Sequence, residues 1–134
     1  MEAVWPKILI VDDASNWRTT LETLLKSCGY TVTVASNVLE ANTALQQGPY
    51  ATAILDVRLD AFDDANHEGV STILAAAHRQ FPKMSFIVIS SYYSEVEVRN
   101  FITPNVKLFF FDKTNFQVEA LLKTLEQIVS ESQS

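Results

Sequence analysis

Ala51-Thr52-Ala53-Ile54-Leu55-Asp56, near the middle of the chain, is a short apolar run that stops on a carboxylate. Its length and polarity predict a strand buried on both faces of a parallel sheet. A carboxylate closing such a strand lies at the carboxyl edge, where open α/β sheets place their ligand sites. The first apolar run, Lys7 to Val11, also ends on acid, at Asp12 and Asp13. Two neighbouring strands that end this way bring three carboxylates into one crevice. Like charges about 4 Å apart repel by roughly 4 kcal/mol at an effective dielectric of about 20. A cation is therefore expected at that edge, and Asp12→Ala is expected to stabilise the metal-free fold by relieving repulsion.

Working outward, strands alternate with helices. After Lys7–Val11, Ser15 is the expected cap of a helix in which Trp17, Leu21, Leu24, Leu25 and Cys28 recur at helical spacing, with Gly29 as its stop. Thr31–Ala35 is β-branched and strand-like. Asn37 with Glu40 reads as a capping box for a helix that runs to Gln47 and halts at Gly48-Pro49. A polar stretch from Arg58 to Glu68 follows the central strand and is long for a strand-to-helix loop. A third helix starts near Gly69 and carries Val70, Ile73, Leu74, Ala77 and Phe81 on one face. Met84–Ser90 is the fourth strand. Ser94 and Glu97 box a short helix through Phe101 and Ile102 to Pro104, and Val106–Phe111 is the fifth strand. Thr114 with Gln117 is expected to cap the last helix, which bears Phe116, Leu121, Leu122, Leu125, Ile128 and Val129.

Five such units predict a parallel α/β sheet with helices on both faces and right-handed crossovers. The common strand order is 2-1-3-4-5, with its switch point between strands one and three. Those are the two strands that end in Asp12-Asp13 and Asp56. With 134 residues the expectation is a single domain with its core over about 7–129 and a polar tail over 130–134. The net charge of −6 argues against a nucleic-acid surface. A single cysteine, Cys28, permits no internal disulfide, and no signal peptide or spanning segment is visible, so a cytoplasmic setting is expected. Trp17, one turn past the acidic pair, is expected half-buried at the rim of the crevice. His67 reads as a loop residue and His78 as a solvated helix residue. Taken singly, Asp12, Asp13 and Asp56 could be mere helix-capping acids, and Lys113 a surface lysine.

Taken together, Asp12-Asp13 after strand one, Asp56 after strand three, Ser90 closing strand four and Lys113 after strand five resemble a response-regulator receiver domain, from Lys7 to about Val129. The resemblance implies a flavodoxin-like (βα)5 fold and a phosphoacceptor of a two-component system or phosphorelay. The resemblance implies a signalling module rather than an enzyme, limited to its own phosphorylation and slow autodephosphorylation. It implies that Asp56 takes a phosphoryl group from a phosphohistidine. Mg2+ or Mn2+ would be held by Asp12, Asp13, Asp56 and the backbone carbonyl of Arg58. Lys113 and Ser90 would contact the phosphoryl group, with Ser90 and Phe110 as switch residues. The implied partners are a histidine kinase or histidine phosphotransfer protein, and a second copy through the fourth helix, fifth strand and fifth helix; neither nucleic acid nor membrane is implied.

The physics of such a site is consistent. Mg2+ takes oxygen ligands and keeps several waters, and phosphoryl transfer needs in-line positioning with cations on the equatorial oxygens. The pattern departs from the family in places. Thr114 stands where proline usually follows the lysine, so a trans peptide is expected there. Ser91 replaces the usual alanine, Phe110 a tyrosine, and Asp60 a proline, within a longer loop carrying Asp63, Asp64 and Glu68. A haloacid-dehalogenase phosphatase would need Asp-x-Asp after strand one, which Asp12-Asp13-Ala14 lacks. A flavodoxin would need a Ser/Thr-rich phosphate loop there. The rival of a different class is a pseudo-receiver, an interaction module that is not phosphorylated.

Overall fold

The computed structural model describes residues 6–56, 68–91, 93–101 and 106–132. Five parallel strands, β1 (Lys7–Val11), β2 (Thr31–Ala35), β3 (Thr52–Asp56), β4 (Ser85–Ser90) and β5 (Leu108–Asp112), lie in the order β2-β1-β3-β4-β5. They alternate with helices α1 (Ser15–Ser27), α2 (Val38–Leu45), α3 (Glu68–Gln80), α4 (Glu95–Phe101) and α5 (Val118–Ser132). The fold class and strand order are those expected from the sequence.

The strands alternate sides, and two cores result. Leu9, Val11, Ala53, Leu55, Phe86, Val88 and Leu108 pack with Ala41, Leu45, Ile73, Leu74 and Val98 of α2, α3 and α4. Ile8, Ile10, Ile54, Ile87 and Ile89 pack with Leu21, Leu25, Leu121, Leu125 and Ile128 of α1 and α5. β3 and β4 are buried along their whole length, as central strands of a doubly covered sheet must be. Each fully buried Leu or Ile contributes about 1.5–3 kcal/mol.

Caps decide where the helices begin. At α2, the Asn37 side chain accepts from the Glu40 N–H at 2.8 Å, while Glu40 turns back to the Ser36 N–H at 2.7 Å. The Ser36 N–H and then the Ser36 hydroxyl, both donating to Glu40 Oε1, hold that carboxyl below its ordinary range. At α4 the box closes both ways, Ser94 N–H to Glu97 Oε1 at 3.0 Å and Glu97 N–H to Ser94 Oγ at 3.3 Å. Gly29 ends α1 with φ of 96°, a conformation that other residues rarely adopt. A Cβ at Gly48 would sit 2.5 Å from Phe81 Cζ, so the turn after α2 needs glycine.

Two expected caps are corrected. Ala14, not Ser15, is the N-cap of α1, because Asp12 Oδ1 already accepts the Ala14 N–H at 2.8 Å and turns the chain into the helix one residue earlier. Thr114 does not cap α5. Its N–H and hydroxyl both donate to Asp112 Oδ1, at 2.9 and 2.7 Å, and are used up in a 3-10 turn over Lys113–Asn115. α5 then starts at Val118 and runs on through Ser130. His78 is half-buried rather than solvated, and its Nδ1 has no hydrogen-bond partner among the described residues. It borders the buried stripe of Leu74 and Ala77 on α3. Arg58, Asp60, Asp63, Asp64, His67, Ile102 and Pro104 lie outside the described residues.

Candidate functional site

The carboxyl ends of β1 and β3 meet at the switch point of the sheet. One carboxylate oxygen from each of Asp12, Asp13 and Asp56 lies within 4.8 Å of the others. Register explains this: Val11 pairs with Leu55, so the acids that follow lie side by side. Asp12 and Asp56 are 3% and 6% exposed. The turn that presents them is pinned by the Arg18 guanidinium, which donates to the Asp12 carbonyl at 2.8 Å.

Lys113 enters from the turn after β5. Its Nζ lies 3.2 Å from Asp12 Oδ2 and 3.6 Å from Asp56 Oδ1, and its side chain is only 10% exposed. The lysine thus supplies one protein cation at the edge where a cation was expected, and it offsets part of the repulsion among the acids. Asp12→Ala would remove an ion pair and the acceptor of the Ala14 N–H together, so the expected gain in stability does not stand. Three carboxylates against one ammonium still leave two formal negative charges, and every donor is a carboxylate oxygen. That set fits a hard divalent cation.

Ser90, 2% exposed, closes β4 next to Asp56, whose register partner is Ile89. Its Oγ accepts the Tyr93 N–H at 2.8 Å, at the start of the segment leading to α4. Phe110 pairs with Val88 and packs on the α2–α4 side of the sheet. Ser90, two residues beyond Val88, lies on that same side. The peptide between Lys113 and Thr114 is trans, Gly48–Pro49 being the cis bond among the described residues.

Sequence reasoning placed Trp17 at the rim, and it is half-buried there. It did not find the Trp17 ring under Lys113, the Arg18 anchor or the Asp112 cap. The spacing Asp112-x-Thr114 was a usable signal for the cap. A recess of about 630 Å3 opens near the opposite end of the strands, beside Tyr50, Phe81 and Met84. Of its charged lining residues, Lys107 and Glu131 are joined in an ion pair and Lys83 is a further cation, and among the described residues no cluster of acids lies there.

A doubly covered parallel sheet of order 2-1-3-4-5, with an acidic crevice and a lysine at its switch point, defines a flavodoxin-like architecture. Matching follows that outline. The family model for the response regulator receiver domain matches residues 8–126, and the chain belongs to that family of signalling modules. The fold is similar to a CheY-like receiver domain protein of Methanospirillum hungatei JF-1, with 22% identity, 97% of this chain and 98% of that one covered, and a TM-score of 0.82. It is also similar to the chemotaxis protein CheY4 of Vibrio cholerae (23% identity, 93% and 99% covered, TM-score 0.78). In NtrX of Brucella abortus the similarity, at 21% identity and TM-score 0.78, covers 97% of this chain and 27% of that one. No curated protein sequence matches the chain. Among the described residues no helix is long and apolar enough to cross a membrane.

Proposed function

We propose that this receiver domain, centred on residues 7–129, is a working phosphoacceptor in which Asp56 is the nucleophile. The observation that carries the reading is Lys113 Nζ within 4 Å of both Asp12 and Asp56 in a crevice of three converging carboxylates. An Asp56 carboxylate oxygen attacks the phosphorus of a phosphohistidine, forming an aspartyl phosphate as the P–N bond breaks and the imidazole nitrogen leaves with the electron pair. Lys113 would donate to an equatorial phosphoryl oxygen after releasing part of its pairing with Asp12. Asp12 and Asp13, with Asp56 and the Arg58 carbonyl, are the residues that would hold Mg2+ or Mn2+. The bound metal would neutralise charge on the transferring group. Ser90 then donates its hydroxyl to the new phosphate, and Phe110 follows on the same side of the sheet.

The donor is a histidine kinase or histidine phosphotransfer protein, and the surface of α4, β5 and α5 is the expected site of a second copy or a downstream partner. A cytoplasmic location accords with an exposed free thiol at Cys28. The complete acidic set with its lysine supports phosphorylation over the pseudo-receiver reading. Incubation with acetyl phosphate and Mg2+, followed by intact-mass measurement, is expected to add one phosphoryl group to the parent and none to Asp56→Asn. An unmodified parent would favour the pseudo-receiver.

A further inference from the structure

We propose that Trp17 is a positioning residue for Lys113, an aromatic wall that keeps the ammonium over the crevice; the proposal rests on the phosphoacceptor reading above. Lys113 Nζ lies 5.0 Å from the centroid of the Trp17 ring, while the same nitrogen reaches Asp12 and Asp56. The ammonium is shared between two carboxylates and one π face. A lysine on its long flexible stem is a poorly fixed point charge, and the stem's rotational freedom must be lost each time it meets a phosphoryl oxygen. A ring within about 6 Å of a desolvated ammonium attracts it through the ring quadrupole. Lys113, at 10% side-chain exposure, sits where that attraction is little screened.

The wall is itself held in place. Phe116 meets Trp17 edge-on, with ring centroids 5.1 Å apart and planes at 86°. Phe111 meets Phe116 at 6.1 Å and 64°. Rings therefore run from α1 to the end of β5, bracketing the turn that carries Lys113. That turn is otherwise fixed by Asp112 through hydrogen bonds that are exposed to solvent. Trp17 adds a further restraint beside the sheltered pairing of Lys113 with Asp12 and Asp56. Beside the indole lies a surface groove of about 270 Å3, lined in part by Leu24 and Val118, so a smaller side chain at Trp17 widens an open groove rather than leaving a closed cavity.

The test separates this role from general damage. Trp17→Leu keeps an apolar side chain and removes the π face, whereas Trp17→Phe keeps a smaller ring. With Mg2+ present, beryllofluoride affinity is expected to fall about five- to tenfold in Trp17→Leu and by less in Trp17→Phe. In a Lys113→Met background the Trp17→Leu change should cost nothing further, because the wall has nothing left to hold. The ε-methylene protons of Lys113 should lie upfield in the parent, shifted by the indole ring current, and return to their ordinary position in Trp17→Leu. That readout needs neither metal nor phosphoryl group. Equal losses in the parent and Lys113→Met backgrounds, or unshifted ε-methylene protons in the parent, would overturn the proposal. A parent that takes no beryllofluoride would sink the phosphoacceptor reading instead, and the ε-methylene shift would still decide whether Trp17 holds Lys113. If Trp17→Leu does not fold, Trp17→Phe carries both measurements.

Discussion

Asp12 and Asp13 are adjacent in sequence and meet different surroundings. Asp12 pairs with Lys113 at 3.2 Å and accepts the Ala14 N–H at 2.8 Å. Asp13 has neither a hydrogen bond nor an ion pair among the described residues, and it faces two other carboxylates within 4.8 Å. Removing Asp13 therefore relieves repulsion without breaking a hydrogen bond or ion pair among the described residues. For Asp12, the lost attraction to Lys113 offsets the relieved repulsion, and the orphaned Ala14 N–H then costs about 1–3 kcal/mol. In EDTA, Asp13→Ala is expected to melt a few degrees above the parent and Asp12→Ala a few degrees below it. Mg2+ should raise the melting temperature of the parent and leave Asp13→Ala unmoved. A shared direction for the two variants in EDTA would refute the distinction. At this scale the three acids, Ser90 and Lys113 were legible because each ends a strand or follows its end within two residues, which fixes its place. The partners of those residues were not. The Lys113–Asp12 contact spans 101 positions of sequence, and the cation-to-ring contact at Trp17 depends on how α1 and the turn after β5 approach one another.

Helix starts were read correctly where a capping box marked them, at α2 and α4, although α2 ends at Leu45 rather than Gln47, and starts were displaced where a side chain competed for the backbone. Asp12 and Asp112 are the two competitors. Each is an aspartate that accepts the N–H two residues on, and each moves the start of the following element away from the Ser or Thr that the sequence nominates. Asp12 directly follows β1 and Asp112 ends β5, so carboxylates at strand ends also shape the turns beyond them. Asp112 makes the prediction at this scale. The Thr114 hydroxyl and N–H, in that order, hold its carboxyl below the ordinary aspartate range. A depressed folded value means that the cap stabilises above the unfolded value of about 3.9 and fades as pH falls through the lower folded one. Asp112→Asn should therefore melt below the parent at neutral pH, and the gap should close under acid, below about pH 4. A gap that persists undiminished in acid would show that the charge of Asp112 is not what holds the turn.

Across the whole molecule, β4 and β5 tie the acidic edge to the far side of the sheet. Ser90 ends β4 beside Asp56, its Oγ accepts the Tyr93 N–H ahead of α4, and Phe110 packs on the same side two positions back along the neighbouring strand. A phosphoryl group on Asp56 brings charge-assisted acceptors close to that hydroxyl. If Ser90 turns to donate to it, the Tyr93 N–H must find another acceptor, and the segment entering α4 has to rearrange. Phe110, already half-buried and without a phenolic hydroxyl to draw it outward, can then move deeper beside β4. The strength of the coupling is limited to the difference in interaction between the two states. About 1–3 kcal/mol, the worth of one hydrogen bond to a charged group, is enough to shift a population five- to a hundredfold. Ser90→Ala should still accept beryllofluoride with Mg2+ at Asp56 while losing the response beyond it. Amide chemical shifts of the parent should change on loading at Phe109–Phe111 and along Glu95–Phe101, and those of Ser90→Ala should stay near their unloaded positions there. Equal shifts in both proteins would mean that the signal leaves Asp56 by another route, and the segment between β3 and α3 would be the first place to substitute.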